Sequence, residues 1–171
     1  MSSLFESVEL TPVTPEELPL ISGMAAKIWP DAYREINSPE QTSYMLELMY
    51  SPQAMEQDLA EGVIYQWILC EDERVGFIAA GPIIPGEPCV LHKCYVLNEA
   101  QGRGSGKAAL RLLFAQLCKE GTPLLRLRVN RKNSRAIRFY QSLGFSKEAE
   151  DVLDIGGGFV MDDYVMIRYL T

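Results

Sequence analysis

The chain has 171 residues and a mass of 19.2 kDa, about the length of one ordinary domain, and its 47% hydrophobic and 23% charged residues suit a globular core that needs no disulfide or metal staple. A formal charge of −7 and a pI near 4.8 argue against nucleic acid or an anionic membrane as the main partner. That average conceals an asymmetry: residues 101–147 carry eleven Lys or Arg and one acid, Glu120, a local +10, while the remainder carries −17.

In chain order, residues 5–13 read as a first strand, stopped by Pro12 and Pro15. Thr14-Pro15-Glu16-Glu17 is a helix start, with Thr as N-cap, Pro at the first position and acids in the first turn. Leu18, Ile21, Met24, Ala25 and Ile28 follow at helical spacing, and Pro30 interrupts them. Ser38-Pro39-Glu40-Gln41 repeats the start signal as a capping box, and Ser51-Pro52 opens a third helix closed by Gly62. The period then changes. Residues 63–70 and 75–84 are β-rich runs joined at Glu71-Asp72-Glu73-Arg74 as a hairpin, and 89–97 is a further strand. A glycine-rich loop, a helix to about Lys119, a strand at 124–129 and a helix at 133–143 come next. Strands at 145–155 and 159–170, joined by Gly156-Gly157-Gly158, close the pattern. The fold class expected is α/β, a mixed sheet of about seven strands flanked by helices, as one domain over 1–171.

The four cysteines form no CxxC pair and there is one histidine, His92, so no metal site is expected. A Ser-His-Asp hydrolase would need a GxSxG elbow, and Arg103 stands where the first Gly before Ser105 should be. Residues 1–10 hold no apolar run of a signal peptide, and nothing approaches the roughly 18 apolar residues of a membrane span. The expectation is a cytoplasmic protein with reduced thiols.

The informative segment is 95–107, Tyr-Val-Leu-Asn-Glu-Ala-Gln-Gly-Arg-Gly-Ser-Gly-Lys. A strand feeds a three-glycine loop and a helix begins at once. Free N–H groups and the helix dipole at such a start attract an anion, and Arg103 and Lys107 add formal charge. A Walker loop fails twice, at Gln101 and at Ala108. A Rossmann reading of Gly104 to Ala109 wants an acid after the next strand, where Arg131 and Lys132 stand.

Gln101-Gly102-Arg103-Gly104-Ser105-Gly106, followed by Val129-Asn130, Asn133, Ala136, Phe139-Tyr140 and Gly144-Phe145, resembles the GNAT superfamily of acyl-CoA-dependent N-acetyltransferases, and the order of elements fits that fold along nearly the whole chain. Asn98 departs from the proline many members carry there. The resemblance implies acetyl-CoA as cofactor, with Tyr95, Val96 and Leu97 along its pantetheine arm. It implies Gln101, Gly102, Arg103, Gly104, Ser105, Gly106 and Lys107 around its pyrophosphate, and Asn133, Ala136 and Phe139 beside it. Tyr140 would be the general acid. From spacing alone, Asn133 and Tyr140 are two helical turns apart and share a face; Asn133 is also a good N-cap, and Tyr140 equally suits a core aromatic.

His92 precedes Val96 by four, where some members carry a carboxylate, and an imidazole titrating near about 6.5 in water could serve as general base. It could equally be a strand histidine with a packing role. The acceptor side is expected to involve Trp29, Tyr33, Glu35, Asp162 and Asp163, an acidic and aromatic set suited to a cationic, polyamine-like primary amine. The tail 154–166 is similar to bacterial members, some of which act on spermidine or spermine. The alternative function is an acyl-CoA-binding sensor without turnover. A homodimer is compatible with such folds.

Overall fold

In the computed structural model, which describes residues 7–170, strand alternation sorts side chains into two cores on opposite faces of one sheet. The strands are β1 (Val8–Pro12), β2 (Ile64–Cys70), β3 (Glu73–Gly81), β4 (Cys89–Val96), β5 (Leu124–Asn130), β6 (Ser146–Gly156) and β7 (Phe159–Tyr169), and the helices α1 (Leu18–Ala32), α2 (Pro39–Tyr50), α3 (Pro52–Ala60), α4 (Ser105–Lys119) and α5 (Ser134–Ser142). The sheet order is β1-β2-β3-β4-β5-β7-β6. Tyr65, Trp67, Phe77 and Ala79 point to one face, against Ile21, Ala25, Ile28 and Trp29 of α1, Met45 and Tyr50 of α2 and Met55 of α3. Ile68, Ile78, Ala80, Leu125 and Leu127 point to the other, against Ala109, Leu110, Leu113 and Leu117 of α4.

The mixed α/β architecture with seven strands is the expected one. Three local readings change. β1 includes Pro12, paired with Gln66; β1 is an edge strand, where a proline without N–H is tolerated. Residues 5 and 6 of the expected first strand lie outside the described residues. α1 runs through Pro30 to Ala32 instead of stopping before it, because a proline forfeits one bond of the ladder but the helix ends within a turn anyway. β3 ends at Gly81, not at Ile84.

The junction that matters lies mid-sheet. β4 pairs with β5 in parallel only over Cys89–Leu91 against Leu125–Leu127. Beyond that, β5 keeps pairing with β7 as far as Asn130 opposite Asp163, and β4 keeps pairing with β3 as far as Val96 opposite Gly76. The β3–β4 register shifts between Ala79 and Ala80, leaving His92 without a partner. An extra residue of this kind bends its strand, so β4 and β5 part into a V.

Candidate active site

The V opens into a cleft of about 1280 Å³. One wall is built by the loop after β4, α4 and α5. Gly102 and Gly104 adopt φ of 83° and 79°, a region costly to residues with a Cβ, and Gly104 is the N-cap of α4. That turns the first N–H groups of α4 toward the cavity. Ser105, Gly106 and Lys107 line it, and among the described residues the buried Ser105 Oγ has no hydrogen-bond partner. From α5, Asn133, Arg135, Ala136, Phe139 and Tyr140 line the same cavity. Among the described residues, Lys107 and Arg135 make no ion pair.

Along β4, Leu97 N–H is bonded back to Val75 O. Alternation along an antiparallel strand therefore turns the amides of Cys94 and Val96 to the gap. Gln101 Nε2 donates to Val96 O at 3.1 Å and Asn98 Oδ1 at 3.2 Å, so its side chain ties the loop to the strand. Asn133 Oδ1 accepts from Ala136 N at 3.1 Å, the N-cap its position suggests, while it also lines the cleft.

Tyr140 is held by its ring, edge-on to Phe139 and Phe145 at 5.2 and 5.5 Å. Its hydroxyl has no hydrogen-bond partner among the described residues. Burial, then the nearby Cys94 and Tyr33, push its pKa well above that of free tyrosine, so it stays a protonated donor. Burial also pushes the Cys94 thiol up to about 12, which makes it a poor nucleophile.

The opposite wall comes from α1, α2, β4 and β7. Tyr33 and Tyr95 share a hydroxyl–hydroxyl bond of 2.8 Å. Trp29 lies 4.6 Å from Tyr33 and 5.6 Å from Tyr95, centroid to centroid. Tyr44 donates to Ile155 O at 2.6 Å, and a Cβ on Gly157 would lie 2.8 Å from its ring, so the glycine turn between β6 and β7 lets α2 close that rim. Asp163 lines the cavity with its side chain 3% exposed and accepts from Arg128 Nε at 3.0 Å. Burial raises its pKa, which Arg128 opposes.

Of the residues expected at the site, Leu97, Arg103, Glu35 and Asp162 do not line the cleft. Leu97 leaves the strand for a 3₁₀ turn at Asn98–Ala100, Glu35 is exposed, and Asp162 is bound to Arg131 Nε at 2.8 Å. His92 lines the cavity, but its imidazole is exposed and its Nε2 sits 3.0 Å from Gly81 O, on the β3 side of β4.

A buried network escaped the sequence reading. Lys93 Nζ lies 2.7 Å from Met49 O, 2.6 Å from Tyr65 Oη and 3.3 Å from Asp58 Oδ2, and 4.1 Å from the Tyr50 ring centroid. Burial lowers the Lys93 pKa, opposed by Asp58. The available signal was a lysine at the inward strand position shared with Tyr95.

The acetyltransferase (GNAT) family model matches residues 27–145, more than half of the chain, and the chain belongs to that family. Uncharacterized N-acetyltransferases of Mycobacterium tuberculosis and Mycobacterium bovis are 35% identical over 81 residues, 47% of this chain and 51% of theirs, so the match spans about half the length of these curated relatives. Among solved structures, the PaiA N-acetyltransferase of Thermoplasma acidophilum in complex with coenzyme A is similar at 23% identity, with a TM-score of 0.79 over 95% of this chain and 99% of that one. A spermidine N-acetyltransferase SpeG chimera from Vibrio cholerae and hSSAT is similar at 16% identity, with a TM-score of 0.70 over 95% of each chain. At such identities the likeness to solved structures is one of fold.

Proposed function

We propose that residues 1–171 work as one acetyl-CoA-dependent N-acetyltransferase that acylates a primary amine of a small cationic, polyamine-like acceptor by direct attack. The observation that carries the reading is the V between β4 and β5, with strand amides on one side and the α4 N-terminus at its mouth. The residues fit the cofactor: unpaired N–H groups and the orphaned Ser105 Oγ suit phosphate oxygens, Lys107 and Arg135 supply charge, and the Val96 amide suits an extended amide-bearing arm.

Acetyl-CoA would supply an acyl group activated as a thioester. Tyr140 holds a proton on a hydroxyl that no other described residue engages and would give it to the departing sulfur. The Cys94 or Val96 N–H facing the gap would donate to a developing oxyanion. Two side chains of the cleft wall are candidates to take the amine's proton, His92 and Asp163. The cationic acceptor is supported by the Trp29, Tyr33 and Tyr95 rings in a cleft that the Asp163 carboxylate also lines, and by the fold shared with the spermidine N-acetyltransferase chimera. The four free thiols accord with a cytoplasmic setting.

The test is thiol release from acetyl-CoA across a panel of polyamines, amino-acid amides and peptide N-termini. Release with polyamines above the others is expected. Coenzyme A binding without release on any amine would overturn the catalytic reading in favour of a sensor. Within the same assay, an unchanged kcat/KM and pH profile in His92→Ala would remove His92 as a base.

A further inference from the structure

The carboxylate of Asp163 is a costly feature that packing alone does not account for. Its side chain is 3% exposed, and a buried carboxylate is retained at a price in solvation unless it is fully bonded. It is not fully bonded. Arg128 Nε reaches Oδ2 at 3.0 Å, and among the described residues no donor reaches Oδ1. Arg128 itself is shared, with Nη1 on Asp151 Oδ2 at 2.6 Å. Asp163 therefore sits in the cleft wall as a nearly buried acceptor, anchored on one oxygen and, among the described residues, unbonded on the other.

Its position adds direction. Asp163 lies opposite Asn130, at the open end of β5 where β4 has already departed. Its charge is felt at the Tyr33 hydroxyl, which touches Tyr95 at the gap. His92, by contrast, leans toward Gly81 of β3, on the side of β4 away from the gap.

Resting on the acetyl-transfer reading above, we propose that Asp163 is the catalytic residue that receives the acceptor's amino group: Oδ1 accepts an N–H of the acceptor and takes its proton as the amide forms. In the balanced step, the lone pair of the neutral amine makes the N–C bond, the C–S bond breaks, the sulfur takes the Tyr140 proton, and the nitrogen's surplus proton passes to Asp163 Oδ1. Solvent then removes the proton from Asp163 and restores that of Tyr140. Arg128 is the positioning residue, holding the carboxylate by Oδ2 so that Oδ1 faces the cavity. The charged and titratable groups around Asp163 are Arg128 on β5, Asp151 on β6, Asp162 beside it on β7 and Tyr33 on α1. Burial raises its pKa, Arg128 opposes that, and the two acids add a smaller upward push, which narrows the gap to the amine it must deprotonate.

The experiment compares Asp163→Asn, Asp163→Glu and the double variant Asp163→Asn/Arg128→Gln, which also removes the Arg128 charge that has lost one of its two carboxylate partners, in case the single change fails to fold. Coenzyme A affinity and the melting temperature report on the fold. Carboxyl ¹³C titration of the wild-type chain with and without spermidine reports on Oδ1 independently of turnover. Expected results are a roughly hundredfold or larger fall in kcat/KM for the amine in the Asn variants, unchanged coenzyme A affinity, partial recovery in Asp163→Glu, and a carboxyl titration that moves when spermidine is present. The acid limb of the wild-type profile assigned to this carboxylate should vanish in the Asn variants. An Asn variant within about twofold of wild type, with the same pH profile, overturns the assignment and leaves the acetyltransferase reading intact. Absence of turnover by the wild type on every amine overturns that reading instead, and a carboxyl titration indifferent to spermidine then overturns the Asp163 assignment as well.

Discussion

The two walls of the cleft are built on opposite electrostatic plans. On the α4–α5 wall, Lys107 and Arg135 line the cavity without an ion pair, and Ser105 Oγ without a hydrogen bond, among the described residues. On the α1–β7 wall nearly every charge is matched at home. Lys93 is bonded to Asp58, Arg128 to Asp163 and Asp151, and behind the wall Arg131 is bonded to Asp162 and Glu150. The first plan suits a multiply charged ligand that brings its own counter-charge. The second suits a ligand placed by rings and by one or two open acceptors. The basic block at 101–147 thus divides by surroundings: Lys107 of α4 and Arg135 of α5 line the cleft, and the arginines of β5 and its following turn are neutralised by acids of β6 and β7.

Breaking the matched wall should do the most damage. Lys93→Met removes a buried cation from three oxygen partners and leaves Asp58 facing a hydrophobic cluster, so a loss of about 3 kcal/mol in unfolding free energy is expected, read by denaturant titration. A loss under about 1 kcal/mol would show that the network is not a structural element of that wall. Tyr140→Phe keeps the ring contacts with Phe139 and Phe145 and deletes only the hydroxyl proposed to donate the proton. It should cut kcat about a hundredfold, with coenzyme A affinity unchanged, and any loss of rate at high pH through ionisation of this hydroxyl, displaced above that of free tyrosine, should be absent from the variant. An equal loss of affinity would mean that the hydroxyl binds and does not donate.

On the unmatched wall, Lys107→Ala with Arg135→Ala should weaken coenzyme A binding about tenfold and flatten its dependence on salt, since screened charge is what is removed. Calorimetry at low and high ionic strength separates these results. Binding that weakens while keeping its salt slope would place the relevant charge elsewhere. The smallest effect concerns Glu17, far from the cleft. Its Oε1 accepts from Thr14 N at 3.0 Å, and that bond, with help from Trp67 and Arg74, lowers its pKa to about 2. A folded pKa below the unfolded value of about 4.5 means stability present above pH 4.5 and lost as pH falls toward 2. Glu17→Gln should therefore be less stable than wild type at neutral pH, with the difference closing by pH 2.

How far the site was legible depended on whether its residues act through local geometry. Gly102 and Gly104 announce a left-handed turn and a helix start, and Asn133 announces its own N-cap; all three appear where the sequence places them. Tyr140 and Asn133, seven residues apart, do line one cavity. Arg103 and Gln101 were less legible. The Gln101 amide bonds Val96 and Asn98 within the loop, and Arg103 does not line the cavity. Asp162 and Asp163 were indistinguishable as neighbours, yet adjacent positions on a strand face opposite ways, and only Asp163 lines the cleft.

By itself the sequence determined the element order, the turn and cap chemistry, and the loop-plus-helix that makes an anion site, because each follows from φ preferences and periodicity within a few residues. Tertiary structure alone decided three things: that β4 and β5 part after three pairs, that Lys93 is buried against Asp58 and Tyr65, and that Asp163 keeps one oxygen free beside Arg128. Each joins residues more than 20 positions apart, and no local preference encodes which partner a strand or a charge will meet.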